Sequence, residues 1–324
     1  MCTTRGTGYA FIIMSGKHAV TGAFGYSGKR IAQRLLNEGR EVITLTNSLK
    51  RPDPFNGAVA AHRLAFEDEA ALAKTLEGVE TLYNTYWVRF DHRDFTFAEA
   101  VDNSRRLFRA AKQAGVERIV HVSITNPSPD SPLKYFRGKA KVERALAETG
   151  APHSILRPAV LFGGEDILIN NIAWGLRRFP VTPIFGDGEY KLQPIHVEDF
   201  AELAAAEGTA GGVRMVNAIG PETYTYRELL QMIGEAIGKV RPTMRIPAPL
   251  GYALAWVTGV IVGDVMLTRE EIEGLMAGFL YVDDAPAGHT RLSEWVRENA
   301  DTLGRRYASE LARRQHRDAS YTDL

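Results

Sequence analysis

The sequence predicts an α/β protein, a doubly wound parallel sheet followed by a smaller, mainly helical C-terminal lobe. In the first half of the chain, short apolar runs alternate with segments of helical periodicity, and each run is apolar nearly throughout. Strands of that kind are covered on both faces, and strands that alternate with helices form parallel sheets through right-handed crossovers. After Gly163 the loops lengthen, and helical patterns dominate from Tyr226 onward.

Six strands and four helices are expected before residue 160. The strands are expected around residues 19–20, 42–45, 59–64, 81–83, 119–122 and 154–156. The helices follow the first, third, fourth and fifth strands, and the second and third of them are expected over 70–76 and 97–114. Each helix is followed by a glycine that can end it, at positions 39, 78, 115 and 150. Ser131 and Pro132 predict the start of the fourth helix, with the serine as N-cap.

Four segments are expected along the chain. Residues 1–15 are expected to be a disordered tail, in which Met1 and Met14 both stay open as the natural start. Residues 16–163 are expected to form the doubly wound domain, and 164–303 a substrate lobe interleaved with the end of the sheet. Residues 304–324 are expected to be a charged tail, a helix that fades into disorder.

Composition excludes several classes of function. Lys plus Arg number 39 and Asp plus Glu number 39, so the formal net charge is zero and no global field attracts a nucleic acid. The one cysteine, Cys2, cannot form a disulfide within the chain. The eight histidines show no metal-ligand spacing, so no metal site is expected. A cytoplasmic protein that acts on a small molecule, as a monomer or homodimer, is the resulting expectation.

Residues 246–263 form an uncharged stretch between Arg245 and Asp264. Prolines and glycines interrupt it, and its 18 residues fall short of the about 20 that a spanning helix needs. We therefore expect a helix over 250–262. This helix is either buried against the protein or rests on a partner or a membrane surface.

The strongest chemical signal is the run Thr21-Gly22-Ala23-Phe24-Gly25-Tyr26-Ser27-Gly28, which follows the first strand and opens the first helix. Its glycines permit a tight turn and let backbone N–H groups approach a pyrophosphate, which the positive end of the helix dipole also attracts. This context predicts a dinucleotide-binding, Rossmann-type domain. The predicted cofactor-binding residues here are Thr21, Gly22, Phe24, Gly25, Tyr26, Ser27 and Gly28.

The end of the second strand indicates which dinucleotide is bound. An NAD site usually has an acidic residue about 20 residues after the first glycine. The sequence here reads Leu45-Thr46-Asn47-Ser48-Leu49-Lys50-Arg51, which has no acid and ends in two bases. Asn47, Lys50 and Arg51, with Arg30 as a further candidate, therefore favour NADP over NAD. The alternative is that Lys50 and Arg51 are solvated loop residues.

Tyr135 and Lys139 are four residues apart on a predicted helix and so share a face. A nearby ammonium favours the phenolate and lowers the pKa of a tyrosine, which makes the tyrosine useful as an acid or base. The helix follows the fifth strand at the ligand edge of the sheet. Gly138, inside this helix, suggests the close approach of another group, although a packing reason is equally open.

These motifs resemble the short-chain dehydrogenase/reductase superfamily, in its extended and atypical branches. The closest likeness is to NAD(P)H-binding and epimerase/dehydratase-like members, including NmrA-like regulators and the dinucleotide-binding accessory subunit of respiratory complex I. The resemblance implies that Tyr135 acts as acid/base and that Lys139 holds the ribose. It also implies that Ser123 or Thr125 binds the substrate oxygen and that Asn103 supports the site. Pro158 lies in a block similar to the extended branch's R-P-x-x-x-x-G.

Two features leave the activity open. Members usually end the fifth strand with Ser-Ser, whereas Ile124 here stands at the strict position. The loop Asn84-Thr85-Tyr86 either touches the nicotinamide and substrate or covers the sheet. The first hypothesis is an NADP-dependent oxidoreductase or epimerase/dehydratase-like enzyme. The alternative is a non-catalytic NAD(P)H-binding regulator or an accessory subunit of a larger complex.

Overall fold

The structure, a computed structural model, describes residues 16–265 and 267–321. Its strands are β1 (Lys17–Thr21), β2 (Glu41–Thr46), β3 (Val59–Arg63), β4 (Val79–Asn84), β5 (Arg118–Val122), β6 (His153–Pro158), β7 (Val160–Phe162), β8 (Thr182–Phe185), β9 (Lys191–Leu192), β10 (Pro194–His196), β11 (Val213–Ala218), β12 (Tyr224–Thr225) and β13 (Thr243–Ile246). Its helices are α1 (Tyr26–Asn37), α2 (Glu69–Thr75), α3 (Phe97–Gln113), α4 (Lys134–Glu148), α5 (Leu168–Arg178), α6 (Val197–Gly208), α7 (Tyr226–Ala236), α8 (Ala248–Val262), α9 (Arg269–Met276), α10 (Leu292–Glu298) and α11 (Glu310–Gln315).

The main sheet has seven parallel strands in the order β11-β6-β5-β4-β1-β2-β3. The six strands expected from the sequence are present, and strand order reverses between β1 and β4, where such sheets bind ligands. Apolar cores cover both faces of the sheet. One contains Leu82 and Phe108, and the other contains Val20 and Phe200. The predicted doubly wound fold is confirmed.

The second lobe returns to the sheet, because β11 pairs with β6 and α6 packs against α1. Its own core lies between α5, α7 and α10, around Phe162, Leu229 and Val296. Three short two-stranded pairings, β7 with β10, β9 with β12 and β8 with β13, connect the helices. The boundary at residues 163 and 164 remains a prediction.

The start of α4 differs from the expectation. Helix α4 begins at Lys134, and its N-cap Leu133 makes no side-chain cap, so Ser131 and Pro132 precede the helix instead of starting it. The carboxylate of Glu270 accepts a hydrogen bond from the Tyr135 backbone N–H at 2.9 Å. A residue 135 positions away thus binds a free N–H group at the start of the helix, where the sequence predicts a local cap.

The C-terminal tail contains a helix, as expected, but this helix is packed on the protein. The helix is α11, in which Glu310 and Arg313 are buried. The carboxylate of Asp264 accepts hydrogen bonds from the backbone N–H groups of Glu310 and Leu311, at 3.1 and 2.9 Å. Up to Tyr321 the tail therefore packs on the protein. Residues 1–15, expected to be disordered, lie outside the described residues.

Candidate cofactor and catalytic site

The glycine-rich turn connects β1 to α1 as the sequence predicts. Gly22 has a φ of +67°, a conformation that favours glycine, and its N–H bonds the carbonyl of Leu45 at 2.9 Å. A β-carbon added to Gly28 would lie 2.4 Å from the carbonyl oxygen of Gly22, so α1 approaches the turn as closely as glycine allows. Sequence reasoning missed Thr44, whose hydroxyl accepts from the Ala23 N–H at 3.0 Å and donates to the Val20 carbonyl at 2.8 Å.

The other residues of the turn divide into two groups. Phe24 is buried against Phe55 and belongs to the core beneath the turn. The Tyr26 hydroxyl donates to the carbonyl of Gly163 at 2.8 Å and so ties the turn to the second lobe. Gly25 is the N-cap of α1 and supplies no side-chain cap. The first turn of α1, which includes Ser27, therefore offers free backbone N–H donors at the positive end of the helix.

The loop after β4 is fixed to the turn by hydrogen bonds. The Thr21 hydroxyl accepts from the Thr85 N–H at 2.8 Å and from the Tyr86 N–H at 3.1 Å. The Asn84 side chain is fully buried and hydrogen-bonded to Thr21 and to the His121 ring. Thr21 and Asn84 thus position the turn and the loop beside it, while Thr85 and Tyr86 lie at the ligand edge.

A basic cleft lies at the ends of β2 and β3, beside the turn. Asn47 lines a space of about 600 Å³ together with Arg63, Asn103, Arg106 and Arg317. An adjoining space of about 460 Å³ contains Lys50 as well as Asn47, Arg63 and Arg317. Sequence reasoning found Asn47 and Lys50. It missed Arg63, Arg106 and Arg317, because no local motif marks arginines brought in by β3, α3 and the C-terminal tail.

Two predicted basic ligands are engaged within the protein. Arg51 is 6% exposed and donates to the carbonyl of Arg313 at 2.7 Å, so it is not a solvated loop residue. Arg30 pairs with Glu165 at 3.3 Å and with Glu198 at 2.9 Å, and so faces the second lobe. Both retain a buried Nε–H without a hydrogen-bond partner among the described residues.

These observations test whether the site fits a dinucleotide. A close approach at Gly28 that leaves no room for a β-carbon, an uncapped helix start, and the buried Nε–H of Arg51 with no hydrogen-bond partner among the described residues all suit an anionic phosphate group. The cleft beside them has no acidic residue at the end of β2 to bind a ribose 2′-hydroxyl, and its acidic lining residues are Glu67 and Asp318. The residues present therefore fit a dinucleotide.

Tyr135 and Lys139 both lie on α4, but Trp87 stands beside each of them. The Lys139 Nζ lies 4.6 Å from the centre of the Trp87 ring and donates to the Val122 carbonyl at 2.8 Å. The Tyr135 ring meets the Trp87 ring edge-on at 5.9 Å. A β-carbon on Gly138 would lie 3.0 Å from the Trp87 ring, so close packing of this tryptophan explains the glycine.

The acidities of this pair differ from the expectation. Burial raises the pKa of Tyr135, Glu271 raises it further, and Arg89 opposes this. Burial also lowers the pKa of Lys139 to about 7. The expectation that Lys139 lowers the pKa of Tyr135 is therefore wrong in this arrangement. Burial therefore favours the neutral phenol of Tyr135 over the phenolate.

The two hydroxyls expected at the third catalytic position differ in their surroundings. The Thr125 hydroxyl donates to the Phe279 carbonyl at 2.8 Å, and the buried Ser123 hydroxyl has no hydrogen-bond partner among the described residues. Ile124 instead lines the cavity next to Tyr135. The Asn103 amide donates to the Tyr86 hydroxyl at 3.0 Å, and Pro158 accepts from the Thr125 N–H at 3.1 Å. In the structure Thr125 and Asn103 are hydrogen-bonded within the protein, and the roles expected for Ser123, Thr125 and Asn103 remain predictions.

The cavity next to Tyr135 has a volume of about 650 Å³ and is lined mainly by apolar side chains. Its charged lining residues are Arg89, Glu270 and Glu271, and Arg89 pairs with Glu271. Residues 16–265 and 267–321 contain no group of three or more His, Cys, Asp or Glu placed to hold a metal ion. Within the same residues, each helix is too short or too polar to cross a membrane.

Comparisons with known proteins identify a matching family and two relatives of this chain. Residues 22–171 match the family described as NAD(P)H-binding. The chain is 26% identical over 262 residues to NADH dehydrogenase (ubiquinone) 1 alpha subcomplex subunit 9, mitochondrial, of Arabidopsis thaliana. That alignment covers 78% of this chain and 65% of the relative, slightly less than two thirds of its length. The chain is also 25% identical over 277 residues to the NADH-ubiquinone oxidoreductase 40 kDa subunit, mitochondrial, of Neurospora crassa, covering 80% and 70% of the two chains.

Two solved structures share the fold. The triphenylmethane reductase of Citrobacter sp. superposes with a TM-score of 0.74 at 19% identity, covering 88% of this chain and 100% of that chain. The NADPH-dependent quinone oxidoreductase of Escherichia coli, complexed with NADPH, gives 0.68 at 22% identity, covering 87% and 99%. At these identities the likeness shows the fold alone. Since the two curated relatives have mitochondrial names, a cytoplasmic location stays a prediction.

Proposed function

We propose that the protein is an NADP-preferring oxidoreductase. Three comparisons support this: residues 22–171 match the NAD(P)H-binding family, the chain is related to subunit 9 of complex I, and its fold is like that of the extended short-chain dehydrogenase/reductases. The observation that carries the proposal is the position of Tyr135. It lines a mainly apolar cavity on the same edge of the sheet as the glycine turn. The substrate is a small molecule that enters this cavity.

The cofactor would be held at three places. The turn from Gly22 to Gly28 and the start of α1 would bind the pyrophosphate through backbone donors. Lys50, Arg63 and Arg317 would pair with the 2′-phosphate of NADP, because all three line one cleft around Asn47. Glu67 shares this region but pairs with Arg63. Lys139 would face the nicotinamide ribose, as the resemblance implies.

The chemistry divides between cofactor and protein. When bound, a nicotinamide dinucleotide would supply hydride for the carbon of a carbonyl group. The Tyr135 hydroxyl would donate its proton to the carbonyl oxygen, and together the hydride and the proton would give an alcohol. Burial keeps Tyr135 protonated until the step, and the apolar cavity excludes water from it.

A Tyr135→Phe variant tests the role of the hydroxyl. We expect NADPH oxidation with a reducible carbonyl substrate to fall by about 100-fold or more, the usual contribution of a general acid. The affinity for NADPH is expected to stay unchanged, because the phenol contacts the substrate side. Tyr281→Phe, outside the cleft, is the matched control. Full activity of Tyr135→Phe would contradict the role.

A second candidate function is a non-catalytic accessory subunit. It is favoured by Ile124 in place of a catalytic hydroxyl and by the names of the curated relatives. Affinity purification of the tagged protein from its native cell distinguishes the two functions. Stable co-purification with a larger complex, together with no NADPH oxidation over a panel of carbonyl compounds, would favour the subunit. A monomer or homodimer that oxidises NADPH would favour the enzyme.

A further inference from the structure

We propose that the apolar cavity beside Tyr135 binds a largely apolar molecule with one carbonyl group, and that α8 docks on an anionic lipid bilayer that delivers it. The inference that the ligand has a carbonyl group rests on the proposed oxidoreductase function, whereas the inference of lipid docking does not. Most of the cavity wall is aliphatic or aromatic, while its charged residues, Arg89, Glu270 and Glu271, are used in an ion pair and a helix cap. An apolar body with one polar end suits such a space.

Helix α8 is apolar on both of its faces. Gly251, Ala255 and Thr258 recur at helical spacing and line the cavity. On the opposite face Trp256, Val260 and Ile261 are 71%, 65% and 78% exposed. The expectation of a helix buried against the protein is therefore wrong for this face. An exposed row of large apolar side chains on a helix is typical of a surface that another phase or partner covers.

Charge favours an anionic bilayer as the occupant. The segment from residue 239 to 263 contains three cations, Lys239, Arg241 and Arg245, and no acidic residue. Lys239 is exposed before β13, and Arg245 is exposed within β13, the strand that leads into α8. Basic residues beside an apolar helix with a tryptophan on its free face suit a helix that lies in the membrane interface. Because the other face of α8 lines the cavity, an apolar molecule dissolved in the lipid would reach Tyr135 across one helix.

Vesicle sedimentation tests the docking. We expect the whole protein to co-sediment with phosphatidylcholine vesicles containing phosphatidylglycerol, and much less with phosphatidylcholine alone. Val260→Glu combined with Ile261→Glu should lower the bound fraction by at least about five-fold, since two charges replace buried apolar area. Val213→Glu with Met215→Glu changes two exposed apolar residues of β11 and is the matched control. Unchanged binding, or a wild-type dimer that these α8 changes dissociate, would overturn the bilayer proposal.

Nile red, a neutral apolar dye, tests the cavity. Thr258→Trp places an indole in the cavity, whereas Val257→Trp places one on the neighbouring outward position. We expect the first change to weaken Nile red binding by at least about five-fold and the second to leave it nearly unchanged. Equal effects of the two changes would overturn the cavity as the binding site. If the wild-type protein did not bind NADPH, that result would instead contradict the proposed function.

A separate observation concerns the phosphate end of the cofactor site. The Tyr321 ring has the guanidinium carbons of Arg51 and Arg313 at 4.7 Å from its centre. A β-carbon added to Gly25 would lie 3.7 Å from the Tyr321 hydroxyl oxygen, so the phenol stands against the phosphate-binding turn. Arg313, like Arg51, has a buried Nε–H without a partner among the described residues.

From these contacts we infer that Tyr321 occupies the position where the pyrophosphate of the dinucleotide would bind. Cofactor binding would displace Tyr321 and free Arg51 and Arg313 to bind the phosphates. Guanidinium groups prefer a bidentate phosphate to an aromatic face, so the exchange satisfies donors that are now unpaired. Asp264 anchors the start of α11, so the part beyond α11 can move while the anchor stays.

Binding of NADPH, followed by its fluorescence, tests this displacement. Tyr321→Ala should lower the Kd for NADPH by at least about three-fold, because the phenol then no longer competes with the cofactor for the site. Arg313→Ala should raise the Kd, since a phosphate partner is lost. Tyr281→Ala removes a similar aromatic–cation contact with Lys191 elsewhere and is the matched control. An unchanged or raised Kd for Tyr321→Ala would overturn the inference, and no binding in any variant would overturn the cofactor site itself.

Discussion

At the scale of single residues, the chemistry of the site depends on burial. Lys139 is almost fully buried, and its charged form is supported by the Val122 carbonyl and the Trp87 ring. Burial nevertheless lowers its pKa to about 7 from an ordinary 10.5. Between these two values the unfolded chain binds more protons at this residue than the folded chain does. The contribution of Lys139 to the free energy of unfolding therefore rises with pH through that window.

Replacement of Lys139 by methionine tests this sign. Below pH 7 both states carry the charge, so the variant removes the full burial cost. At pH 9 Lys139 of the folded wild type is mostly neutral, so the substitution raises the free energy of unfolding by less. We expect Lys139→Met to raise the free energy of unfolding more at pH 6 than at pH 9, by roughly 1–3 kcal/mol. Urea denaturation measures it, with the exposed Lys141→Met as control. A pH-independent difference would contradict the account.

Arg63 decides the preference between the two dinucleotides if the basic cleft holds the 2′-phosphate. Arg63→Ala is expected to raise the Kd for NADPH by about ten-fold and to leave that for NADH nearly unchanged, since one charge-assisted hydrogen-bond pair is lost. Arg93→Ala, at a highly exposed position, is the control. Equal losses for both cofactors would place Arg63 outside the 2′-phosphate site.

At the scale of elements, local signals predicted what local contacts determine. The strands and the glycine turn follow from runs of adjacent residues, and α2 and α3 begin at Asp68 and Thr96, whose side chains cap them. The start of α4 could not be predicted in this way, because its cap comes from Glu270. Arg51 likewise bonds the C-terminal tail, and Ile124 belongs to a cluster with Phe279 and Leu280, contacts that no local spacing reveals.

The turn between β1 and α1 gives a test at this scale. Gly28→Ala would force a β-carbon to within 2.4 Å of the Gly22 carbonyl oxygen, so the turn or the helix must shift. We expect a loss of about 1–3 kcal/mol in the free energy of unfolding and a loss of NADPH binding. Gly211→Ala, where nothing lies within 4 Å of the added carbon, is the control. NADPH binding that survives in Gly28→Ala would argue against phosphate contact at this turn.

At the scale of the whole molecule, the site lies where three parts of the chain meet. The sheet supplies the turn and the basic cleft, and the second lobe supplies the apolar cavity and the Gly163 carbonyl that Tyr26 bonds. The C-terminal tail supplies Arg313, Arg317 and Tyr321. The sequence predicted the first of these parts closely, because its motif is contiguous. The meeting of the three parts depends on contacts between residues far apart in sequence.

The most direct test of the central claim is a parallel fluorescence titration of the purified wild-type chain with NADPH and NADH. The account predicts saturable binding of both cofactors, with NADPH at least about ten-fold tighter because the arginines of the cleft pair with its 2′-phosphate. The spectrum of the supernatant after denaturation shows whether cofactor was already bound. Tighter binding of NADH, or no binding by a chain that releases no cofactor, would contradict the account.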